Sequence, residues 1–187
     1  MSNLALKRLP SQYKSWESFI TEDINKEYRF KKKIVISDCD GILTDGNIPY
    51  DGLKKPFKIY GCHDKEMVHL MSSIGWEFLF VTNDKGGLNI TSNRIVTSLM
   101  GARCKFADPE MREELVKKYV EDGYYVVFCG DSPSDVKAAS YAHLACTTIN
   151  CFEPVQEYFK FVSRHEGGHG GFAEILWYVL KYTKKKF

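Results

Sequence analysis

The stretch at residues 33–46, KIVISDCDGILTDG, places the strongest constraint on the fold of this chain. Its β-branched residues at 34–36 give no polar face to water, which predicts a buried strand. Asp38 and Asp40 follow with one residue between them. In an extended strand residues two apart point the same way, so both carboxylates are expected to face one cavity. Gly41 then lets the backbone turn and approach a ligand closely.

Two carboxylates held this close repel each other unless a cation lies between them or one of them keeps its proton. The pair Asp38 and Asp40 therefore costs stability, which indicates chemistry rather than packing. Taken alone, the motif has a second interpretation, an acidic turn after a strand. A partner motif is needed to decide between the two.

Two further apolar segments end in residues of the same kind. Residues 76–81 run into the triplet TND, and residues 124–129 run into GDSPSD. Three strands that finish in small, hydroxyl or acidic residues fit a parallel sheet whose carboxyl ends form a ligand crevice. The residues expected to join Asp38 and Asp40 at this crevice are Thr82, Asn83, Asp131 and Asp135.

The segments between these strands show the periodicity of helices. Apolar residues recur at helical spacing over five segments, and a last short strand is predicted at residues 147–149. The predicted helices cover residues 65–73, 92–100, 109–121, 137–141 and 172–182. This alternation predicts an α/β fold, a doubly wound, Rossmann-like parallel sheet flanked by helices.

Residues 47–62 are rich in turn formers and predict a β-hairpin flap over the mouth of the crevice. Asp51-Gly52 is a hairpin-turn signal, and residues 57–60 alternate as a short strand would. No segment is long enough for a large cap domain. The crevice is therefore expected to stay open unless a neighbouring subunit covers it.

Residues 1–31 lie outside this pattern and predict an N-terminal helical extension. Its apolar residues recur at helical spacing, so we expect an amphipathic helix that packs on the core or on another subunit. They are Trp16, Phe19, Ile20 and Ile24.

Composition bounds the class of protein. With 187 residues, 44% of them hydrophobic, the chain can form one domain with a full core. A net charge of +2 gives no strong electrostatic reason to bind nucleic acid or an anionic membrane. No apolar run approaches the roughly 18 residues of a membrane span, and no signal-peptide core is present. Six cysteines without a CxxC pair predict a reduced, cytoplasmic protein.

Together, DxDGxxTD, a strand ending in Thr, and GDxxxD resemble the motifs of the haloacid dehalogenase (HAD) superfamily of aspartate-nucleophile phosphatases. Within it, DGILTDG and the glycine cluster at residues 166–171 are most similar to the capless 3-deoxy-D-manno-octulosonate 8-phosphate (KDO 8-P) phosphatase family. The resemblance covers residues 32–180. It implies a phosphatase domain at residues 32–187, with the flap at residues 47–62.

The resemblance implies a Mg²⁺-dependent phosphomonoester hydrolase that acts on a small sugar-acid phosphate. Asp38 would attack phosphorus and form an aspartyl-phosphate, while Asp40 would act first as acid and then as base. The metal ligands would be the carboxylates of Asp38 and Asp131 and the backbone carbonyl of Asp40. Asp135 would orient the metal site rather than bind the ion.

The resemblance also implies a cradle for the phosphoryl oxygens, made by Thr82 and the amides near Asn83 and Gly41. The superfamily normally adds a Lys, sometimes an Arg, near the start of the helix before the last motif. Here Lys105 or Arg112 can supply that charge, and Lys105 is slightly favoured; a surface charge at a helix end is the alternative for either residue.

In the resembled family the glycine tail reaches the active site of a neighbouring subunit, which implies a homotetramer with His169 contacting substrate. A flexible loop before the last helix is the alternative. His63, just after the flap, either contacts substrate or belongs to the cap of the next helix.

Two other functions fit the same motifs. A nucleotide or polynucleotide 3′-phosphatase would use the same aspartates and would need a base-stacking aromatic, such as Tyr50 or Tyr60, or the basic run at residues 29–33. A non-catalytic HAD-fold binding or assembly protein is the other possibility, because such a protein does not need the superfamily's lysine at its usual position.

Overall fold

The computed structural model describes residues 32–50, 52, 57–98 and 102–186. The predicted helical extension at residues 1–31 lies outside the described residues. Within the described ranges, no helix has the length and apolar character needed to cross a membrane.

A parallel sheet forms the centre of the described structure. Its six strands are β1 (Lys32–Asp38), β2 (Trp76–Thr82), β3 (Arg103–Phe106), β4 (Tyr124–Cys129), β5 (Leu144–Thr147) and β6 (Phe161–Val162). They lie in the order β3-β2-β1-β4-β5-β6, and every pair is parallel. β1 and β4 are therefore neighbours where the strand order reverses, the position at which doubly wound sheets bind ligands.

Five α-helices flank the sheet in the described part of the chain. They are α1 (Asp64–Ser73), α2 (Leu88–Ser98), α3 (Pro109–Glu121), α4 (Val136–Tyr141) and α5 (Gly171–Lys186). The prediction of a doubly wound α/β sheet is confirmed, and the described residues add no large cap domain to it. The predicted strand at residues 124–129 and the helix at residues 109–121 match the observed bounds.

Alternate residues of the central strands face two separate apolar cores. On β1, Val35 packs into the first core, while Ile34 and Ile36 pack into the second. Helices α1, α2 and α5 cover the first core, for example through Leu176, and α3 and α4 cover the second, for example through Val116. Because both faces are covered, each central strand contains a continuous apolar run, and these runs make the strands predictable.

Other elements differ from the prediction. The sequence predicts no strand at β3 or β6, and it places the last strand at residues 147–149, whereas β5 covers Leu144–Thr147. Helix α2 begins at Leu88, four residues before the predicted start at 92. β3 lies at the sheet edge and alternates exposed with half-buried residues, so it lacks the apolar run that marks a central strand.

The described residues of the predicted flap, 47–50, 52 and 57–62, belong to no strand, in contrast to the expected β-hairpin. The predicted alternation is nevertheless present. Phe57 and Ile59 are 54% and 53% exposed, whereas Lys58 and Tyr60 are much less exposed. The segment is therefore attached to the domain by alternate side chains rather than by strand pairing.

Candidate active site

A cleft of about 250 Å³ lies at the carboxyl ends of β1, β2 and β4. β1 ends at Asp38, the loop after β1 carries Asp40, and Asp131 follows β4. All three line the cleft together with Arg112 of α3. Residues that the sequence places on separate strand ends therefore meet in one cavity.

Asp38 and Asp40 reach the cleft for a reason that differs from the prediction. Only Asp38 belongs to β1, and Asp40 lies in the following turn, so strand alternation does not orient it. Gly41 makes this turn with a φ of 87°. A Cβ at position 41 would overlap the Asp131 carboxylate, so glycine allows Asp131 to lie directly over the loop.

Three carboxylates form a close cluster in the cleft. One oxygen each of Asp38, Asp131 and Asp135 lies within 4.8 Å of the others. Burial, followed by the charge of Asp135, raises the pKa of Asp38 well above its usual range and the pKa of Asp131 to about 7. A cation among these oxygens would relieve the repulsion, and carboxylate oxygens are ligands that Mg²⁺ prefers. The donor set therefore fits a hard divalent cation.

Arg112 supplies positive charge to this cluster from the first turn of α3. Its side chain is 3% exposed, with Nη2 3.1 Å from Asp38 Oδ1 and Nη1 2.5 Å from Asp135 Oδ1. Its Nε donates to the carbonyl of Ala107 at 3.1 Å. Burial lowers the pKa of Arg112, but the charges of Asp38 and Asp135 outweigh it and hold the guanidinium ionised.

Lys105, the slightly favoured candidate for this charge, lies elsewhere. It is exposed on the edge strand β3 and does not line the cleft. Arg112 instead reaches the carboxylate cluster. It lies four residues before the buried Val116 and therefore on the same buried face of α3. The buried face of α3 therefore extends to the strand ends through Arg112.

Asp135 is fully buried and has both carboxylate oxygens occupied by protein donors. Its Oδ2 accepts from the N–H groups of Asp131 and Ser132, both at 3.2 Å, and from Ser132 Oγ at 2.9 Å. Its Oδ1 accepts from Arg112. Asp135 therefore holds the loop that carries Asp131 and connects it to Arg112.

Thr82 and Asn83 lie where β2 ends, and both line the cleft. Thr82 is 1% exposed, and its Oγ1 accepts a hydrogen bond from the N–H of Asp84 at 3.0 Å. Asn83 is exposed. The end of β2 thus presents a hydroxyl, an amide and the carboxylate of Asp84 to the cleft.

Lys58 and Asp84 are site residues that the sequence interpretation missed. Lys58 Nζ lies 2.8 Å from Asp40 Oδ2 and 3.2 Å from Asp84 Oδ2. Burial lowers the pKa of Lys58, but its contacts with Asp40 and Asp84 outweigh this and raise it above the ordinary value. The alternation at residues 57–60 was the available signal, since it places Lys58 and Tyr60 on the inner side.

The glycine cluster at residues 166–171 packs against the loop that follows β1 in its own chain. A Cβ at Gly167 would overlap the carbonyl oxygens of Gly41 and Thr44. The N–H of Gly167 donates to Asn150 Oδ1 at 2.9 Å, and Asn150 Nδ2 donates to the carbonyl of Gly41 at 3.2 Å. The Oγ1 of Thr148 donates to the same carbonyl at 2.7 Å.

The two histidines named as substrate contacts lie outside the cleft lining. His63 is the N-cap residue of α1 without a side-chain capping bond, and its Nδ1 lies 3.6 Å from Glu66. His169 lies in the glycine cluster, exposed, with Nδ1 3.2 Å from the carbonyl oxygen of Gly167. Within the described chain, neither histidine joins the carboxylate cluster.

The fold is similar to that of solved structures described as HAD hydrolases. A structure described as a putative HAD family hydrolase from Streptomyces avermitilis is similar to this chain with a TM-score of 0.69 and 17% identity, over 82% of this chain and 87% of that one. The predicted fold is thereby confirmed. No protein-family profile matches the chain. No curated protein shows significant sequence similarity to it.

Among the similar solved structures are particular phosphatases. The cobalt-bound deoxy-D-mannose-octulosonate 8-phosphate phosphatase of Haemophilus influenzae has a TM-score of 0.70 and 21% identity, over 80% of this chain and 88% of that one. The 3-deoxy-D-manno-octulosonate 8-phosphate phosphatase of Moraxella catarrhalis, in complex with magnesium, phosphate and KDO, has a TM-score of 0.70 and 20% identity, over 87% and 91%. At these identities the similarity establishes the fold.

Proposed function

We propose that this chain is a Mg²⁺-dependent phosphomonoester hydrolase that acts on a small phosphorylated substrate through an aspartyl-phosphate intermediate. The observation that carries the proposal is the meeting of Asp38 and Asp131 with Asp135 within 4.8 Å, beside the guanidinium of Arg112. The similar structures described as phosphatases, with cobalt or with magnesium and phosphate, support it.

The oxygen donors of the cluster support Mg²⁺ as the cation. The carboxylates of Asp38 and Asp131 and the backbone carbonyl of Asp40 would hold it, and bound Mg²⁺ would neutralise charge so that a phosphate dianion can approach. Asp135 is assigned a supporting role, because both of its oxygens already accept hydrogen bonds from protein donors. It keeps Asp131 in place.

Asp38 would be the nucleophile. Its carboxylate oxygen would form a bond to phosphorus as the bond from phosphorus to the leaving oxygen breaks. Arg112, 3.1 Å from Asp38 Oδ1, would orient the carboxylate and offset charge on the transferring phosphoryl group. Thr82, Asn83 and the backbone amide of Gly41 would bind the phosphoryl oxygens.

Asp40 would transfer the protons. It would first protonate the leaving alkoxide and then remove a proton from the water that hydrolyses the aspartyl-phosphate. Its partial exposure, 34% of the side chain, supports this role, because the group must meet both the substrate oxygen and water.

The test is phosphate release from a panel of sugar-acid phosphates, neutral sugar phosphates, nucleotides and a 3′-phosphorylated oligonucleotide, with Mg²⁺ or with a chelator. We expect Mg²⁺-dependent turnover with the wild-type protein, and sugar-acid phosphates are the first substrates to test. Asp38→Asn should remove turnover without unfolding the protein, because the amide keeps the size of the side chain but is not a nucleophile. Asp122→Asn, at an exposed position after α3, is the matched control.

Trapping provides a second readout of the same chemistry. Acid-quenched wild-type protein should retain label from a ³²P-substrate, and Asp38→Asn should retain none. Retained turnover or labelling in Asp38→Asn would remove the nucleophile assignment. Turnover that is unaffected by the chelator would remove the metal assignment.

A further inference from the structure

Lys58 is a buried ammonium in contact with the side chain that the proposed mechanism uses for proton transfer. Its Nζ lies 2.8 Å from Asp40 Oδ2 and 3.2 Å from Asp84 Oδ2, and its side chain is 4% exposed. By comparison, the ion-paired Lys117 is 37% exposed. Lys58 therefore belongs to the interior of the site rather than to its solvated rim.

Each partner of Lys58 is itself held in place. Asp84 Oδ1 accepts from the N–H of Gly87 at 2.9 Å, and the N–H of Asp84 donates to Thr82 Oγ1. The other oxygen of Asp40 accepts from Thr44 Oγ1 at 3.3 Å. Asp40 is thus fixed through both oxygens, with Lys58 as its charged partner.

The surroundings of Lys58 leave it little freedom. A Cβ at Gly87 would lie 3.0 Å from Lys58 Cε, so the lysine stem fills the space beside the glycine. On the chain, Lys58 lies between the exposed Phe57 and Ile59, so its inward position requires the whole segment 57–60 to lie against the cleft. The seating of this segment and the orientation of Asp40 are therefore linked.

We propose that Lys58 is a positioning residue that, together with Asp84, holds the Asp40 carboxylate toward the leaving group and the attacking water. This inference rests on the proposed function, in which Asp40 transfers protons. It adds that acid–base catalysis depends on the seating of segment 57–60.

The expected effect follows from the geometry of proton transfer. Acid–base catalysis contributes about 10²–10⁴ in rate, and a displacement of about 1 Å can cost about 10²-fold. Lys58→Met keeps the stem but removes the ammonium, so we expect kcat to fall by about 10- to 100-fold with KM nearly unchanged.

The test is a double-mutant cycle with Lys58→Met, Asp40→Asn and the double variant, using phenyl phosphate and 2,4-dinitrophenyl phosphate. Dinitrophenolate leaves without a proton, so its burst phase reports attack by Asp38 alone. The burst rate of Lys58→Met should stay within about threefold of the wild-type burst rate. Its steady-state rate, which depends on Asp40, should fall. The double variant should be no slower than Asp40→Asn, because Lys58 acts through Asp40. Lys117→Met is the control, and it should behave as wild type.

Several results would overturn the inference. A rise in KM would make Lys58 a substrate ligand, and losses that multiply in the double variant would give it a role independent of Asp40. A burst that slows as much as the steady state would show general damage to the site. If the wild-type protein hydrolyses neither these esters nor any substrate of the panel with Mg²⁺, or Asp38→Asn hydrolyses both esters, the proposed function and the inference both fail. An active wild type with a fully active Lys58→Met removes only the inference.

Discussion

Asp131→Asn should stabilise the protein in the absence of metal while removing its activity. Burial and the nearby charge of Asp135 raise the pKa of Asp131 from 3.8 to about 7. The folded protein therefore binds this proton more tightly than the unfolded chain does, and stability falls as the pH rises from about 4 to about 7. An asparagine of the same shape never ionises, so it escapes this loss.

The magnitude follows from the shift. About three pKa units at about 1.4 kcal/mol each give an upper value of about 4 kcal/mol above pH 7. Asp131 is still partly exposed, so water screens the charge and we expect a gain of about 2 kcal/mol at pH 8. The gain should shrink below about 1 kcal/mol near pH 4, where the carboxylate is protonated in the folded state and largely protonated in the unfolded chain.

The assay is urea unfolding followed by circular dichroism, with a chelator, at several pH values between 4 and 8. Adding Mg²⁺ at pH 8 should make the wild type the more stable of the two proteins. At a hundredfold excess of Mg²⁺ over Kd, the free energy of unfolding rises by about 2.7 kcal/mol for the wild type and by little for Asp131→Asn. An Asp131→Asn variant that is less stable than wild type in chelator at pH 8 would refute the reasoning. So would a difference that does not vary with pH.

Two further predictions concern the groups around the cluster. Arg112→Met should cost about 3 kcal/mol of stability at pH 8 and at least about 10²-fold in turnover, because it leaves Asp38 and its neighbours without their buried cation. Its control is Lys105→Met, on the exposed edge strand, which should change stability by less than about 0.5 kcal/mol in the same urea assay. Gly167→Ala should cost about 1–3 kcal/mol of stability and slow turnover, because its Cβ displaces the loop that carries Asp40. Gly86→Ala, whose Cβ meets Asp84 at an ordinary 3.6 Å, is the control, and equal effects of the two glycine variants would contradict the overlap argument.

The central sheet was predictable because its physics is local. β1, β2 and β4 are covered on both faces, so each contains a continuous apolar run. β3 was not predictable in this way. As an edge strand it keeps charged residues at Arg103 and Lys105, and its pairing with β2 is a long-range contact that no local pattern encodes.

The candidate site was predictable where its residues follow strands and less so where they come from elsewhere. Asp38 and Asp131 follow apolar runs, so topology alone brings them together. The choice between Lys105 and Arg112 depended on the face of α3, which the helix start at Pro109 and the buried Val116 together determine. Lys58 reaches Asp40 and Asp84, which line the cleft, through the path of an irregular segment that residue spacing does not specify.

The carbonyl of Gly41 accepts hydrogen bonds from Thr148, 107 positions further along the chain, and from Asn150. During synthesis, β1, β2, β3 and β4 have all left the ribosome before either of these side chains exists outside it. A nascent chain can therefore pair its central strands while the loop carrying Asp40 still lacks its rear support. A chain interrupted before residue 148 would therefore have the central sheet without the hydrogen bonds that hold the loop carrying Asp40 in place.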